Sequence, residues 1–401
     1  MQIGLRSGTL PAQINVYLMF YIYALALGSI FPRLGDLQLK MHLGEAALGL
    51  ALLGFALGTQ ISLAFANTVL KYVSARKIIL ISIPFLSFTY IIASYAHNSW
   101  QLFLCLIFSG LAIGCLEVVI NLEADRTEFK IGKRIMNRSH AFWSLGFFSA
   151  GILGAWAGSM NIDSHWHFTI ITVMTSIGCW LVFNDFQCAP PRPNNSNDKQ
   201  GFVLPSKGII FICLFTLSAM LLEGAGADWS IIFMRDNFNQ PVFVNGLAFI
   251  LGALSQAICR FFADSLVERL GAVKVSKISI ATLGAGALLI TFSPNAFMAL
   301  LGFSLAGAGT ACIFPLAMSA AAQRTDRPAT VNLASLAQIS FVVFLLAPPL
   351  LGFIAEAYGI RFSFALSIPL IILSWFSISS LVASSNDNNL SKITDSTENS
   401  A

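Results

Sequence analysis

From Leu102 to Leu122 the chain reads LFLCLIFSGLAIGCLEVVINL, with Glu117 as its one ionisable residue. A hydrocarbon core about 30 Å thick is crossed by about 20 helical residues rising roughly 1.5 Å each, so this run has the length and composition of a bilayer span. Runs of the same kind fall near 12–31, 46–66, 78–96, 100–122, 138–159 and 166–185. Six more fall near 208–231, 243–263, 275–293, 296–318, 332–354 and 362–382. Between the two sets lies the polar stretch Asn184–Lys207, containing APPRPNNSNDK. Of 401 residues, 56% are hydrophobic and 10% charged, where a soluble domain carries about 25% charged residues. That is too little polar surface to clothe a soluble body, so lipid is the expected solvent. The pattern predicts an all-α membrane protein with 12 transmembrane helices in two six-helix pseudo-symmetric bundles. Its parts are a first bundle (1–185), a linker (186–207), a second bundle (208–383) and a disordered, Ser/Asn/Asp-rich tail (384–401).

The net charge of +4 does not point to nucleic acid, but the placement of charge is informative. With the N-terminus inside, only Arg33, Lys40, Arg235 and Arg361 of the 23 Lys and Arg fall on the outer side. That bias predicts cytoplasmic termini, and it places Trp100, Trp166 and Trp229 at the outer headgroup level. Residues 1–13 lack the n-region and cleavage site of a signal peptide, so the first span is expected to be retained. The seven cysteines are odd in number and show neither CxxC nor Cys/His ligand spacing, so no disulfide framework and no metal site is expected. No Walker loop or other enzyme signature is present, and no cofactor is expected.

The chain repeats itself. A shift of 197 residues lays Gly49-Leu50-Ala51 on Gly246-Leu247-Ala248, Phe65-Ala66 on Phe262-Ala263, Lys77 on Lys274 and Gly110 on Gly307. Two six-helix halves related by an axis along the membrane normal place a binding site between them.

The loops after the second and eighth spans carry a family resemblance. The first reads Asn67-Thr-Val-Leu-Lys71-Tyr-Val-Ser74-Ala-Arg76-Lys77, and the second Asp264-Ser-Leu-Val-Glu268-Arg269-Leu-Gly271-Ala-Val-Lys274. Both resemble the Gly-x-x-x-Asp-Arg-x-Gly-type signature of the major facilitator superfamily. The second copy keeps acid, Arg and Gly, while the first keeps only its basic end. Lys71, Arg76, Asp264, Glu268, Arg269 and Gly271 are therefore candidates for conformational latches between helices, with an ordinary basic inward loop as the alternative for the first copy. A narrower resemblance is to a MosC-like bacterial subgroup that includes the membrane protein of the rhizobial rhizopine locus. Its marks here are Glu223-Gly-Ala-Gly-Ala-Asp228-Trp229-Ser230, Glu117 with Asn121, the run Arg134 to Gly146, and Ala347-Pro-Pro-Leu-Leu-Gly352. The resemblance implies the major facilitator fold and a bacterial inner membrane.

Ionisable groups inside a bilayer cost about 2.5–3.5 kcal/mol or more, so each needs a reason to be there. Glu117 and Asn121, four residues apart, share one helix face, and Asp125 extends it. Glu117 is a candidate proton carrier, with an ion pair to Arg138 or Arg126 as the alternative. Glu223, flanked by Gly224 and Gly226, is expected to line a cavity. Asp228, five residues further on, is also a candidate for the solute or the proton but does not share its face closely on an unbroken helix; with Trp229 beside it, an outer interfacial cap is the simpler reading. His140 is a candidate proton relay or an interfacial hydrogen-bonding group. Arg260 is placed above Arg33, which is expected to snorkel, as a partner for an anion or for the acids. Gln60, Gln256 and Gln338 contact cargo or bridge helices, and the glycines at 54, 58, 146, 151, 154, 158, 302, 307 and 309 serve packing. Under the shift Glu117 falls on Phe314 and Glu223 on Ala26; carboxylates present in one half suit function better than fold.

The expected activity is secondary active transport of a small polar organic solute, sugar- or inositol-like by the resemblance, by alternating access with a coupling proton. A drug or metabolite exporter is the alternative within the class. Against it stand Leu106, where drug/proton antiporters have an Arg, and a fifth span without their Pro-containing Gly-rich signature. A transport-dead membrane sensor is the alternative from another class. The expected partners are the solute, a proton and the bilayer, with the chain a monomer.

Overall fold

The computed structural model describes residues 11–190 and 205–381; the linker residues 191–204 and the tail 384–401 lie outside that range. The described residues contain 12 helices long and apolar enough to cross a membrane, and no strand. The first half holds α1 (Ala12–Lys40), α2 (Glu45–Tyr72), α3 (Ala75–Ala93), α4 (Ser99–Ile131), α5 (Met136–Ser159) and α6 (Ser164–Phe183). The second holds α7 (Lys207–Asn237), α8 (Val242–Leu270), α9 (Ala272–Phe292), α10 (Ala296–Gln323), α11 (Ala329–Tyr358) and α12 (Ile360–Leu381).

Several helices outrun their apolar cores. Hydropathy marks the part of a helix that lies in lipid, whereas the helix itself runs on until something stops it. α4 continues past residue 122 to Ile131, where Gly132 takes the left-handed conformation (φ 65°) that a side chain resists. α1 continues past residue 31 through a 3₁₀ turn, Phe31–Arg33, into Leu34–Lys40. α10 is interrupted between Thr310 and Ile313, because Pro315 has no N–H for the Ala311 carbonyl.

The repeat is visible in how the helices are capped and crossed. Asn98 accepts a hydrogen bond from the Gln101 amide at the start of α4, and Asn295, 197 residues on, accepts one from Met298 at the start of α10. A Cβ on Gly110 would lie 2.3 Å from the Phe55 carbonyl oxygen, and one on Gly307 would lie 2.1 Å from that of Gly252. Phe55 and Gly252 are themselves 197 residues apart, so α4 crosses α2 as α10 crosses α8, backbone to backbone.

The halves meet where α5 packs on α8 and α2 on α11. At the end away from the termini, Arg235 of α7 donates to Gln38 Oε1 (2.9 Å) and to the Gly35 carbonyl (3.3 Å) of α1. There the Glu356 carboxylate of α11 accepts the Ala46 amide of α2 at 2.9 Å, satisfying an orphan donor of that helix start. At the other end Asn137 of α5 donates to Asp264 of α8.

Two placements differ from expectation. Trp100 and Trp166 are exposed as interfacial residues should be, but Trp229 is buried in the second bundle, because α7 runs two further turns to Asn237. Arg33 is also buried; it bonds Asp36 (2.6 Å) and the Ile162 carbonyl (2.7 Å) and does not snorkel.

Candidate functional site

Between the halves lies a cavity of about 320 Å³, within the size range of small-ligand sites. Its wall is drawn from matching positions of the two repeats. Leu27 and Gly224 both line it, as do Phe31 and Asp228, Phe55 and Gly252, Thr59 and Gln256, Ile113 and Thr310, and Phe147 and Phe344. Each pair is separated by 197 residues, so the cavity sits on the pseudo-symmetry axis.

Except for Phe147 and Phe344, these matching positions carry unlike side chains. In the first half the rings cluster: Phe31 stacks on Phe147 with centroids 5.7 Å apart, and Trp143 lies 5.4 Å from Phe147. Phe249 of α8 joins this cluster, 6.0 Å from both Phe31 and Phe147. The second half presents the carboxylates. Glu223 and Asp228 both line the cavity from an unbroken α7, and the interfacial-cap reading of Asp228 is thereby corrected. Five residues rotate a helix by about 500°, some 140° past a full turn, which is wide for one face but not for a wall that wraps around α7. Gly224 and Gly226 are what make the wrap possible. A Cβ at Gly226 would meet nothing within 4 Å, and one at Gly224 would meet only the Phe344 ring, at 3.5 Å.

Glu223 is not alone. Arg260 Nη2 donates to it at 3.1 Å, and Arg260 Nη1 donates to Ser144 Oγ of α5 at 3.0 Å. Ser144 Oγ also lies 3.1 Å from Gln256 Oε1, to which it donates, and Gln256 Nε2 donates to Thr310 Oγ1 at 3.2 Å. One buried Arg therefore links a cavity carboxylate to the opposite half. No side chain pairs with Asp228 among the described residues.

Glu117 and Asn121 do not reach this wall. The Glu117 carboxylate accepts Asn121 Nδ2 (3.0 Å) and Tyr23 Oη (3.4 Å), and no basic side chain pairs with it among the described residues. The ion pair with Arg138 or Arg126 is not formed. His140 packs edge-on against Phe20, centroids 5.1 Å apart, and also lies off the wall, as do Gln338, half-buried on α11, and Gln60. Of the loop residues, Asp264 alone bonds across the halves. Arg76 Nη2 reaches Asn184 Oδ1 (3.4 Å) within its own half, Lys71, Glu268 and Arg269 are exposed, and Gly271 (φ 79°) turns α8 into α9.

The α10–α11 loop is fastened near the termini by Asp326, which accepts Arg324 (3.1 Å), Ser206 Oγ (2.7 Å) and Asn332 Nδ2 (3.2 Å). Partial burial alone would raise this carboxyl; hydrogen bonds from Arg324, Ser206 and Asn332, with the Arg324 charge, outweigh it and bring the pKa to about 2.

Sequence reading missed the aromatic wall and Thr59, because a cavity-facing Phe and a lipid-facing Phe look alike in an apolar run. Gln256 carried the usable signal: shifted by 197 it lands on Thr59, not on the neighbouring Gln60.

Comparison with known proteins gives consistent findings. The family model described as Major Facilitator Superfamily matches residues 12–224 and again 209–392. The "Uncharacterized transporter y4wD" of Sinorhizobium fredii is 29% identical over 352 residues, covering 86% of this chain and 91% of that protein. "Membrane protein MosC" of Rhizobium meliloti is 26% identical over 356 residues, covering 86% and 84%. Among solved structures, the nucleoside transporter NupG superposes with a TM-score of 0.67 at 14% identity, over 94% of this chain and 99% of that one. An inward-facing, unoccupied bacterial homologue of the lysosomal transporter Spinster also gives 0.67, at 12% identity over 94% and 99%. At these identities the two structures speak to the fold alone.

Proposed function

The chain belongs to the major facilitator superfamily, and on that premise we propose a secondary active transporter that carries a small organic solute by alternating access, coupled to protons. The observation that carries this reading is the cavity built from matching positions of both repeats, since rocking one half against the other would open it to either side in turn. The division into bundles 1–185 and 208–383 about the 186–207 linker, the cytoplasmic termini and the bacterial inner membrane belong to the same proposal.

Beyond the helix packing of α5 on α8 and α2 on α11, a small set of polar contacts holds the two ends. Arg235 with Gln38 and Glu356 with Ala46 close one end; Asn137 with Asp264 latches the other. Glu117 is the proton carrier in this scheme, as a carboxylate inside the first bundle with only neutral partners, held apart from the solute. Arg260 is the reporter between cavity and interface, through Glu223 and Ser144.

The resemblance implied a sugar- or inositol-like solute. The wall offers such a molecule few free groups, chiefly Asp228 and Thr59, because Gln256 and Thr310 already bond each other and Glu223 is held by Arg260. A hydroxyl buried without a partner costs about 1–3 kcal/mol, so a solute with an apolar body is the better fit. In cargo chemistry, though not in direction, that observation favours the drug- or metabolite-transporter alternative within the class.

The test is solute-driven proton movement in proteoliposomes of the full chain, read with an internal pH dye against polyols, amines and anions. Wild type is expected to move protons with at least one class, and Glu117→Gln to lose that coupling. Solute flux that proceeds without proton movement in wild type, and survives unchanged in both Glu117→Gln and Glu223→Gln, would defeat the proposed coupling.

A further inference from the structure

The cavity's charge and its aromatic wall together specify more than an apolar solute. Among the described residues its wall carries two carboxylates, Glu223 and Asp228, and no basic side chain. Arg260, from behind the wall, neutralises Glu223 at 3.1 Å. Asp228 has no such partner among the described residues, which leaves one carboxyl without a counter-charge in a site walled mainly by rings and aliphatic groups, with Thr59, Gln256 and Thr310 among its other polar side chains. Intramembrane carboxylates are held by a counter-charge or mark a pathway, and the described residues supply no counter-charge to Asp228.

The rings stand where a counter-ion would want them. Phe31 occupies the position that matches Asp228 in the repeat, so Asp228 and the cluster of Phe31, Phe147, Phe249 and Trp143 line the same cavity about the pseudo-twofold axis. The electron-rich face of an aromatic ring attracts a cation, while its area takes up an apolar body. The polar groups a neutral polyol would need are largely committed to each other, as Gln256 is to Ser144 and Thr310.

We infer that the cavity binds an amphipathic organic monocation, its charge held between Asp228 and the aromatic cluster and its apolar body laid against the rings. This rests on the transport reading and adds the chemical class of its solute. One charge is specified because Arg260 already satisfies the other carboxylate. Asp228 is the residue that selects for charge, and the cluster around Phe147 selects for apolar bulk.

Binding to the purified full chain in lipid nanodiscs tests this with three probes: methyltriphenylphosphonium, its neutral shape-mimic triphenylphosphine oxide, and myo-inositol. The phosphonium is expected to bind saturably and at least about tenfold more tightly than either neutral probe. Losing one partner of a buried charge pair typically costs enough that Asp228→Asn should weaken it about a hundredfold, with Asp228→Glu recovering most of the loss. Size-exclusion behaviour like that of wild type shows that both variants fold. If Asp228→Asn is misfolded, the phosphonium–phosphine oxide comparison on wild type decides alone. Equal binding of those two probes, or a folded Asp228→Asn that binds the phosphonium as wild type does, overturns the inference. Tightest binding by myo-inositol also overturns it, yet leaves a solute site between the halves and so spares the transport reading. No binding by any probe overturns the inference, and if solute-driven proton movement is absent as well, both readings fall together.

Discussion

The two walls of the cavity are the same scaffold, both carrying aromatic rings, but only the second carries carboxyl groups. Phe31 stands in one half where Asp228 stands in the other, Leu27 where Gly224 stands, and Ile113 where Thr310 stands. The positions that set helix crossings, by contrast, match in kind as well as in place: Asn98 and Asn295 cap equivalent helices, and Gly110 and Gly307 seat equivalent crossings. Symmetry is kept at these caps and crossing glycines and in the Phe147–Phe344 pair, and broken at the polar and charged positions of the wall. Side chains that differ between matched positions are thus the ones to suspect of function.

That contrast predicts which matched substitutions behave alike and which do not. The largest effect should come from the shared scaffold. Gly110→Val and Gly307→Val each drive a branched side chain into a backbone carbonyl about an ångström inside contact distance, and because backbone cannot yield as a side chain can, such overpacking costs about 3 kcal/mol or more. Both variants should lose yield and thermal stability by similar amounts in detergent. A large loss from one and none from the other would break the claim of an equivalent scaffold.

Next comes Arg260→Gln. It leaves Glu223 without its counter-charge and Ser144 without a donor, costing about 1–2 kcal/mol once partial exposure of the pair is discounted. The melting temperature should fall, and Glu223→Gln in the same chain should restore part of it. If the double variant is no more stable than Arg260→Gln, the pair does not carry the stability assigned to it.

The matched rings give a smaller and unequal effect. Phe147→Ala removes a member of the stacked cluster, whereas Phe344→Ala removes a ring opposite Gly224. Binding of methyltriphenylphosphonium should weaken about tenfold for the first and less for the second, as an aromatic contact is worth about 0.5–1.5 kcal/mol beyond its buried area. Equal losses would mean that the first half holds no special platform.

The smallest effect lies at Asp326, where exposure to solvent limits the gain. Its folded pKa, about 2, lies below the ordinary carboxyl value, so its contribution is fully present above that value and is lost as pH falls toward 2. Asp326→Asn should lower the melting temperature slightly at pH 7, with the difference from wild type closing under strongly acid conditions. A difference that grows on acidification would have the wrong sign.

Fold and site were not equally legible in the sequence. Spans and repeat follow from long apolar runs and from glycines at fixed separation, because lipid imposes its length on every helix and close crossings admit little else. The ends of α1 and α4 were not legible, since the stops lie in polar turns that hydropathy ignores. Glu223, Gln256 and Arg260 stood out as polar residues in apolar runs and proved to be neighbours. Asp228 was misjudged through Trp229, an aromatic that marks an interface only if its helix ends there. The rings of the wall were invisible for a plain reason: composition does not say whether a phenylalanine faces lipid or solute.

The central claim is that the halves move against each other around this cavity. Pairs of spin labels at Tyr72 and Leu270, near the termini, and at Leu39 and Tyr358, at the far end, occupy exposed sites on opposite halves. On adding methyltriphenylphosphonium or stepping the pH, the two inter-label distances should shift in opposite senses, one end opening as the other closes. Two distances that stay fixed under every condition, or that rise and fall together, would contradict the account.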